Sequence, residues 1–510
     1  MRYRPGLKAA ALALTAILAA AAPASADKAS DTLRITDRNA LPNVDPYYNN
    51  LRTGVVMHHQ AWDTLVYRNP ETFKLEPLLA TEWSFPDATT IDFKLRPGVK
   101  FHDGSAFSAD DVVYTLNLAS DPNSKVSTPA NYNWIDKAEK TGDLSVRVKL
   151  KKPFPAALEY FALVIPIYPK AYREKVGPEG YSKAPVGAGP YKITKVEPGV
   201  SIDFERFADY WKGSPKGIPA ISKLAVRFVP DATTEMTELL SGRADWIWNM
   251  NADQFENANK LPTIQAVRKE SMRVGYLQLD AAGRTGKDNN PVTNQKVRQA
   301  IWHAIDLKSI ADKLVTGGSR VPPAPCFPPQ FGCDADAAAK YEYDPAKAKA
   351  LLAEAGFANG FDLEIHSYVL PQWGSAIQNY LQAVGIRAKM QQLQVAAVIQ
   401  KVQAGESRAN LGSWGSFSVN DVSAIMPNFF NGLAMDYARD AELTKLLEEG
   451  GSTNDEAVRK KAYSAAIKRV TEQAYWIPLH TYVTIYGFTK TLDFTPYPDE
   501  LPRFFLAKWK

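Results

Sequence analysis

Cysteine is almost missing from this chain of 510 residues: Cys326 and Cys333 are its only two. That excludes cysteine-rich zinc modules and small scaffolds stapled by many disulfides. Histidine is scarce as well, with six in all. The adjacent His58 and His59 would point to opposite faces of a strand, and metal capture needs three or four convergent ligands, so no metal site is expected. Charge of one sign is not in excess. Lys and Arg number 60 against 55 Asp and Glu, a formal +5, which argues neither for nucleic acid nor for an anionic membrane surface. No nucleophile elbow, HExxH pair, phosphate loop or clustered carboxylate pair stands out, so no catalytic residue and no cofactor is expected. Repeats and low-complexity tracts are absent beyond the first residues.

What is present begins with an address. Arg2, Arg4 and Lys8 form a basic stretch, Ala9 to Ala20 an apolar one, and Ala24-Ser25-Ala26 a small-residue cleavage site. Residues 1–26 therefore read as a cleavable signal peptide, the mature chain starting near Asp27 in the periplasm. The apolar run falls short of the ~20 residues needed to span a bilayer, and no Cys follows the cleavage site, so no stable membrane anchor is expected. Loss of three positive residues from +5 leaves +2. The remaining stretch is too long for one hydrophobic core, which predicts at least two domains. Cys326 and Cys333, with six residues between them in a proline-rich loop, read as a local disulfide in an oxidising compartment.

Local patterns divide the chain. Ile91, Phe93 and Leu95 alternate with Asp92, Lys94 and Arg96, the period of a half-buried strand. Pro97-Gly98 makes a turn, and Ser108 with Asp111 three residues on forms a capping box for a helix. Leu33 to Thr36, Val146 to Leu150 and Lys192 to Val196 read as further strands. The second half alternates helix and strand. Asp231 caps a helix through Leu240, Asp344-Pro345 opens a helix that Gly356 stops, and Ile377 to Val384 precedes a strand from Ile386 to Leu393. The class is α/β.

Five blocks in order carry a family resemblance. Residues 80–115 resemble the signature of bacterial extracellular solute-binding proteins of family 5, the dipeptide, oligopeptide and nickel receptors of ABC importers. Pro185-Val186-Gly187-Ala188-Gly189-Pro190-Tyr191 resembles the family's PVGTGPY. Lys296 to Ile301 with Ala304-Ile305-Asp306 is similar to its VRQAI…AID helix, Tyr343 to Gly356 to its Y-DP-KAK-LL-EAG block, and Trp476-Ile477-Pro478-Leu479 to its W-IPL. The resemblance implies a bilobal type II periplasmic-binding fold with an extra subdomain in lobe I and a two-segment hinge. Lobe I would comprise 27–60, 186–272 and 480–510, with 61–185 as the extra subdomain. Lobe II would run over 273–479, and the hinge would lie near 270–276 and 478–484. It further implies a monomer that binds a small molecule or peptide and delivers it to an inner-membrane ABC permease with its ATPase subunits.

The same resemblance brings three segments to a ligand cleft: Tyr47 and Tyr48 after the first strand, Trp248 and Asn249, and Trp414, Gly415 and Ser416 with Asn420 and Asp421. Aromatic rings offer large contact areas, and glycines let a ligand approach the backbone. Asp421 is the candidate carboxylate for a peptide ammonium. Tyr368 lies in the approach to the helix that Gly385 ends. Two features depart from the dipeptide receptors. They carry Asp-Pro shortly after the Trp, where this chain has Asn420-Asp421-Val422. They also carry an Arg in the stretch that here runs His366 to Trp373 without one. A short peptide is the expected ligand, with an opine, sugar or other organic solute as the alternative and a nickel complex behind both.

Overall fold

The structure, a computed structural model, describes residues 30–49, 51–286, 290–315 and 317–510. The leader read at 1–26 lies outside the described residues. Fourteen strands matter here. In chain order they are β1 (Thr32–Asp37), β2 (Ala80–Asp87), β3 (Thr90–Leu95), β4 (Ile135–Gly142), β5 (Ser145–Leu150), β6 (Tyr191–Glu197) and β7 (Ser201–Arg206). They continue with β8 (Lys223–Phe228), β9 (Trp246–Trp248), β10 (Ile264–Leu279), β11 (Phe361–Ser367), β12 (Ile386–Gln392), β13 (Ala409–Trp414) and β14 (Trp476–Thr489).

Ten of these form one mixed sheet in the order β12-β11-β13-β10-β14-β9-β1-β8-β7-β6. Parallel pairing joins β1 to β8 and β9, and β11 to β12 and β13; β10 and β14 run antiparallel down the middle. Those two central strands are the longest, 16 and 14 residues, and they cross from one lobe to the other. Their register breaks at the crossing. Glu270 faces Val483, but the next pair is Val274 with Thr481, so Ser271, Met272 and Arg273 oppose Tyr482 alone. Such extra residues bend a strand and sharpen its twist. Next to the break, Gly275 faces His480. A Cβ there would lie 2.9 Å from His480 Nε2, so glycine is what lets the imidazole rest on the strand.

Each lobe has its own apolar core. In lobe II the alternation of β10 sends Leu277 and Leu279 to one face and Val274 and Tyr276 to the other. The first face packs on helices Gln295–Ala304 and Pro371–Ala383, the second on Ala441–Gly451 and Glu456–Glu472. In lobe I, a separate four-stranded sheet, β2-β3-β5-β4, packs on helix Ala109–Ser120 through Ile91, Phe93, Val112 and Leu116. That helix starts as read from sequence: Ser108 N donates to Asp111 Oδ2 at 2.8 Å, and Asp110 N donates to Ser108 Oγ. Cys326 and Cys333 are bonded to each other, their Cα atoms 5.9 Å apart. Among the described residues no helix is long and apolar enough to cross a membrane, and no cluster of three metal-ligating side chains occurs.

Candidate ligand cleft

A cavity of about 660 Å³ opens where the two central strands cross. Its walls come from four parts of the fold. Lobe I supplies Asn39, Arg52 and the segment Trp248 to Ala252; lobe II supplies Tyr368, Gln372, Trp373 and Ser413. The crossing strands add Arg268, Arg273 and Tyr482 to Ile485, and the C-terminal stretch adds Glu500.

The aromatic walls are fixed from behind. Trp248 stacks on Tyr486 with the rings nearly parallel. Asn249 follows at φ +57°, a left-handed turn that Asn tolerates better than most residues. Arg38 secures that turn by donating to the carbonyls of Trp248 and Asn249, and it pairs with Glu235 at 3.3 Å. The Tyr368 hydroxyl donates to Ser413 O at 2.8 Å and accepts from Ser413 N at 2.7 Å. Only its ring is left for a ligand. Trp373 packs edge-on against His480 and Tyr482, with centroids 4.5 and 5.2 Å away. Burial pulls His480 down to about 4, so this imidazole is neutral at pH 7.

Electrostatically the lining is lopsided, with Arg52, Arg268 and Arg273 against Glu500 alone among the described residues. Glu500 Oε1 accepts from Thr484 Oγ1 at 3.2 Å. Its other oxygen stands 3.8 Å from Arg52 and 3.7 Å from Arg273, close enough for attraction but beyond hydrogen bonding. Burial and the neighbouring Arg273 both push Arg52 below the ordinary guanidinium value, while Glu500 holds it up.

Compared with known proteins, residues 74–436 match the family model for bacterial extracellular solute-binding proteins, family 5, middle region. This chain belongs to that family. It is 28% identical to heme-binding protein A of Haemophilus influenzae over 459 residues, covering 82% of this chain and 81% of that one. It is also 28% identical to the glutathione-binding protein GsiB of Escherichia coli K12 over 514 residues, covering 96% and 95%. The solved structure of HbpA2 from Haemophilus parasuis superposes with a TM-score of 0.83 at 26% identity, covering 94% of this chain and all of that one. The family 5 fold, type II and bilobal, is therefore the frame in which the site residues are placed.

Of the residues singled out from sequence, Trp248, Asn249 and Tyr368 meet at the cleft of this family 5 protein. The others sit elsewhere. Tyr47 is buried, its hydroxyl donating to Pro166 O at 2.7 Å and its ring packed on Tyr132 and Tyr168. Tyr48 is half-buried near the Arg173 guanidinium. Trp414 donates Nε1 to Ala424 O at 2.8 Å and packs edge-on against Phe417 and Phe429. Gly415 adjoins Arg273, whose Nη2 would be 3.1 Å from a Cβ there. Ser416 is buried at φ +51°. Asn420 N donates to Glu159 Oε2 at 3.0 Å, which ties this loop to lobe I. Asp421 is buried away from the cleft lining, and both its oxygens accept from Arg459 Nη2, at 2.9 and 2.7 Å. The cleft also brings in Arg52, Arg268, Arg273, Trp373 and Glu500, which the sequence reading did not name as site residues. Of these, Arg273 lay within the segment read as hinge, and that position was its one available signal.

Proposed function

We propose that this protein is the periplasmic receptor of an ABC importer, a monomer that captures a short peptide between its lobes. It then delivers the peptide to an inner-membrane permease and its ATPase subunits. It performs no catalysis and needs no cofactor. The observation that carries this reading is the cleft at the two-strand crossing, whose walls come from both lobes. A ligand touching both walls gains contacts only when they approach, so binding shifts the population toward the closed form. The volume falls within the ~300–1,000 Å³ typical of small-ligand pockets. Similarity to a glutathione-binding protein across nearly the whole chain favours a peptide, since glutathione is a tripeptide.

A second reading, an opine or other organic acid, draws support from Asp421, whose pairing with Arg459 removes the expected grip on a peptide ammonium. One experiment separates the two. Small molecules released by denaturing the freshly purified protein are identified by mass spectrometry, and each is returned to stripped protein while scattering follows the radius of gyration. A peptide that compacts the protein supports the first reading. A non-peptide acid that does so supports the second, and absence of compaction by any released compound refutes closure.

A further inference from the structure

We infer that the solute is net anionic, with at least two carboxylates, and that Arg52, Arg268 and Arg273 select it. This deepens the peptide-receptor reading and rests on it. Among the described residues the lining holds three guanidiniums and one carboxylate, an excess of two positive charges in a half-enclosed space. Among the described residues, none of the three has a carboxylate within hydrogen-bond distance. Arg273 has one marginal hydrogen bond, 3.5 Å to Ser413 Oγ, and shares Glu500 at 3.7 Å. Arg52 donates to Ser418 Oγ at 2.5 Å and reaches Glu500 only at 3.8 Å. Arg268 lies 3.9 Å above the Phe255 ring, and among the described residues its buried Nε has no partner and its one ion pair is a 3.7 Å contact to the exposed Glu256. Trp373 adds a buried indole N–H that also has no partner among the described residues.

The cleft is thus richer in cations than in anions. Partly desolvated cations of this kind are relieved most by carboxylates that accept forked hydrogen bonds. A neutral peptide zwitterion would bring one carboxylate and one ammonium, leaving the excess untouched. Its ammonium would find only Glu500, already between two arginines, because Asp421 is held by Arg459. A peptide with further carboxylates cancels the excess.

The test is isothermal titration of triglutamate, trialanine, trilysine and the non-peptide acid tricarballylate into stripped protein, at 20 mM and 200 mM salt. Triglutamate is expected to bind at least tenfold tighter than trialanine, with trilysine undetected and the preference shrinking at high salt. Arg273→Gln should lose ~10–100-fold for triglutamate and under threefold for trialanine. Should Arg273→Gln melt early, Arg268→Gln provides the same comparison. Trialanine or trilysine binding as tightly as triglutamate overturns charge selection and leaves the peptide receptor standing. Tricarballylate binding while every peptide fails keeps charge selection and overturns the peptide. Silence from all four overturns the inference.

Discussion

Arg68 is buried to 1% exposure, and its guanidinium joins three parts of the molecule. Nη1 lies 2.8 Å from Glu159 in the extra subdomain and also donates to Ser418 O in a lobe II loop. Nη2 lies 2.8 Å from Asp499 near the C-terminus. Replacing Arg68 with Met keeps most of the volume and removes the charge. Breaking a buried ion pair from one side costs ~3–5 kcal/mol, because the partner stays buried and uncompensated. Here the loss divides unevenly. Burial works to raise Asp499, but Arg503, with bonds of 3.0 and 2.7 Å, and Arg68 together hold it well below the usual carboxylate range. Arg503 remains in the variant, so Asp499 loses little. Glu159 keeps only the Asn420 N–H, and burial already raises it against the pull of Arg68. It would take up a proton, which limits the cost to the lower end, ~3 kcal/mol.

The variant also loosens a strained loop. Ser416, Phe417 and Ser418 stand at φ +51°, +49° and +64°, three consecutive left-handed residues without a glycine. Each costs ~1–2 kcal/mol. Arg68 on Ser418 O and Arg52 on Ser418 Oγ hold the loop against lobe I, together with Ser418 Oγ on Asp499 O at 2.6 Å and Asn420 N on Glu159. Urea unfolding of Arg68→Met should therefore show a loss of ~3 kcal/mol, and scattering a larger radius of gyration without ligand. The double variant Arg68→Met/Glu159→Gln should recover at least ~1 kcal/mol of it, by removing the stranded acid. A loss below ~1 kcal/mol with an unchanged radius would refute both the energetic and the mechanical part.

Cys333→Ser opens the loop closed by Cys326; the chain-entropy model predicts ~2–3 kcal/mol lost to urea, with ligand titration unchanged because neither cysteine lines the cleft. Glu235 gives a pH signature. Burial pushes it up to about 8, Arg38 opposing, so its folded value lies above the unfolded one. The stability it contributes is fully present below about pH 4 and is lost as pH rises through 8, at most ~1.4 kcal/mol per pH unit. Glu235→Gln should flatten the fall in melting temperature between pH 6 and 8, and an identical fall in both proteins would refute the assignment.

The frame of the fold was legible because its signals are local. Ser108 with Asp111, and Asp344 with Pro345, start helices where the spacing says, and Asp344 Oδ1 accepts from Lys347 N at 2.9 Å. The apolar run from Ile477 to Phe488 reads as extended and is the strand β14. The cleft was legible only where an aromatic or amide sat at the end of a recognisable strand, as with Trp248 and Asn249. Arg52, Arg268, Arg273 and Glu500 come from separate stretches and acquire meaning only once the sheet order brings them together. Asp421 shows the converse. A small-residue loop beside a Trp looks like a ligand wall, but Arg459 stands 38 residues further on, in helix Glu456–Glu472, and nothing near Asp421 announces it.

On the proposed reading, that exchange of roles moves recognition to another part of the molecule. The loop 415–421 touches lobe I through Arg52, Arg68 and Glu159, so its polar groups serve contact between lobes. Selection then falls to the crossing strands, which carry Arg273 and Tyr482 within the register break and Arg268 and Thr484 on one side of it. A side chain on a hinge strand moves with the hinge. Attraction between an anion and Arg273 therefore depends on the lobe angle, and Arg52, on lobe I, feels the same anion from the other side. Coulombic attraction grows as these distances shorten and as water leaves, so a doubly charged ligand pulls on the hinge more strongly than a neutral one of equal size. Under that reading charge selects the ligand and also supplies part of the work of closure.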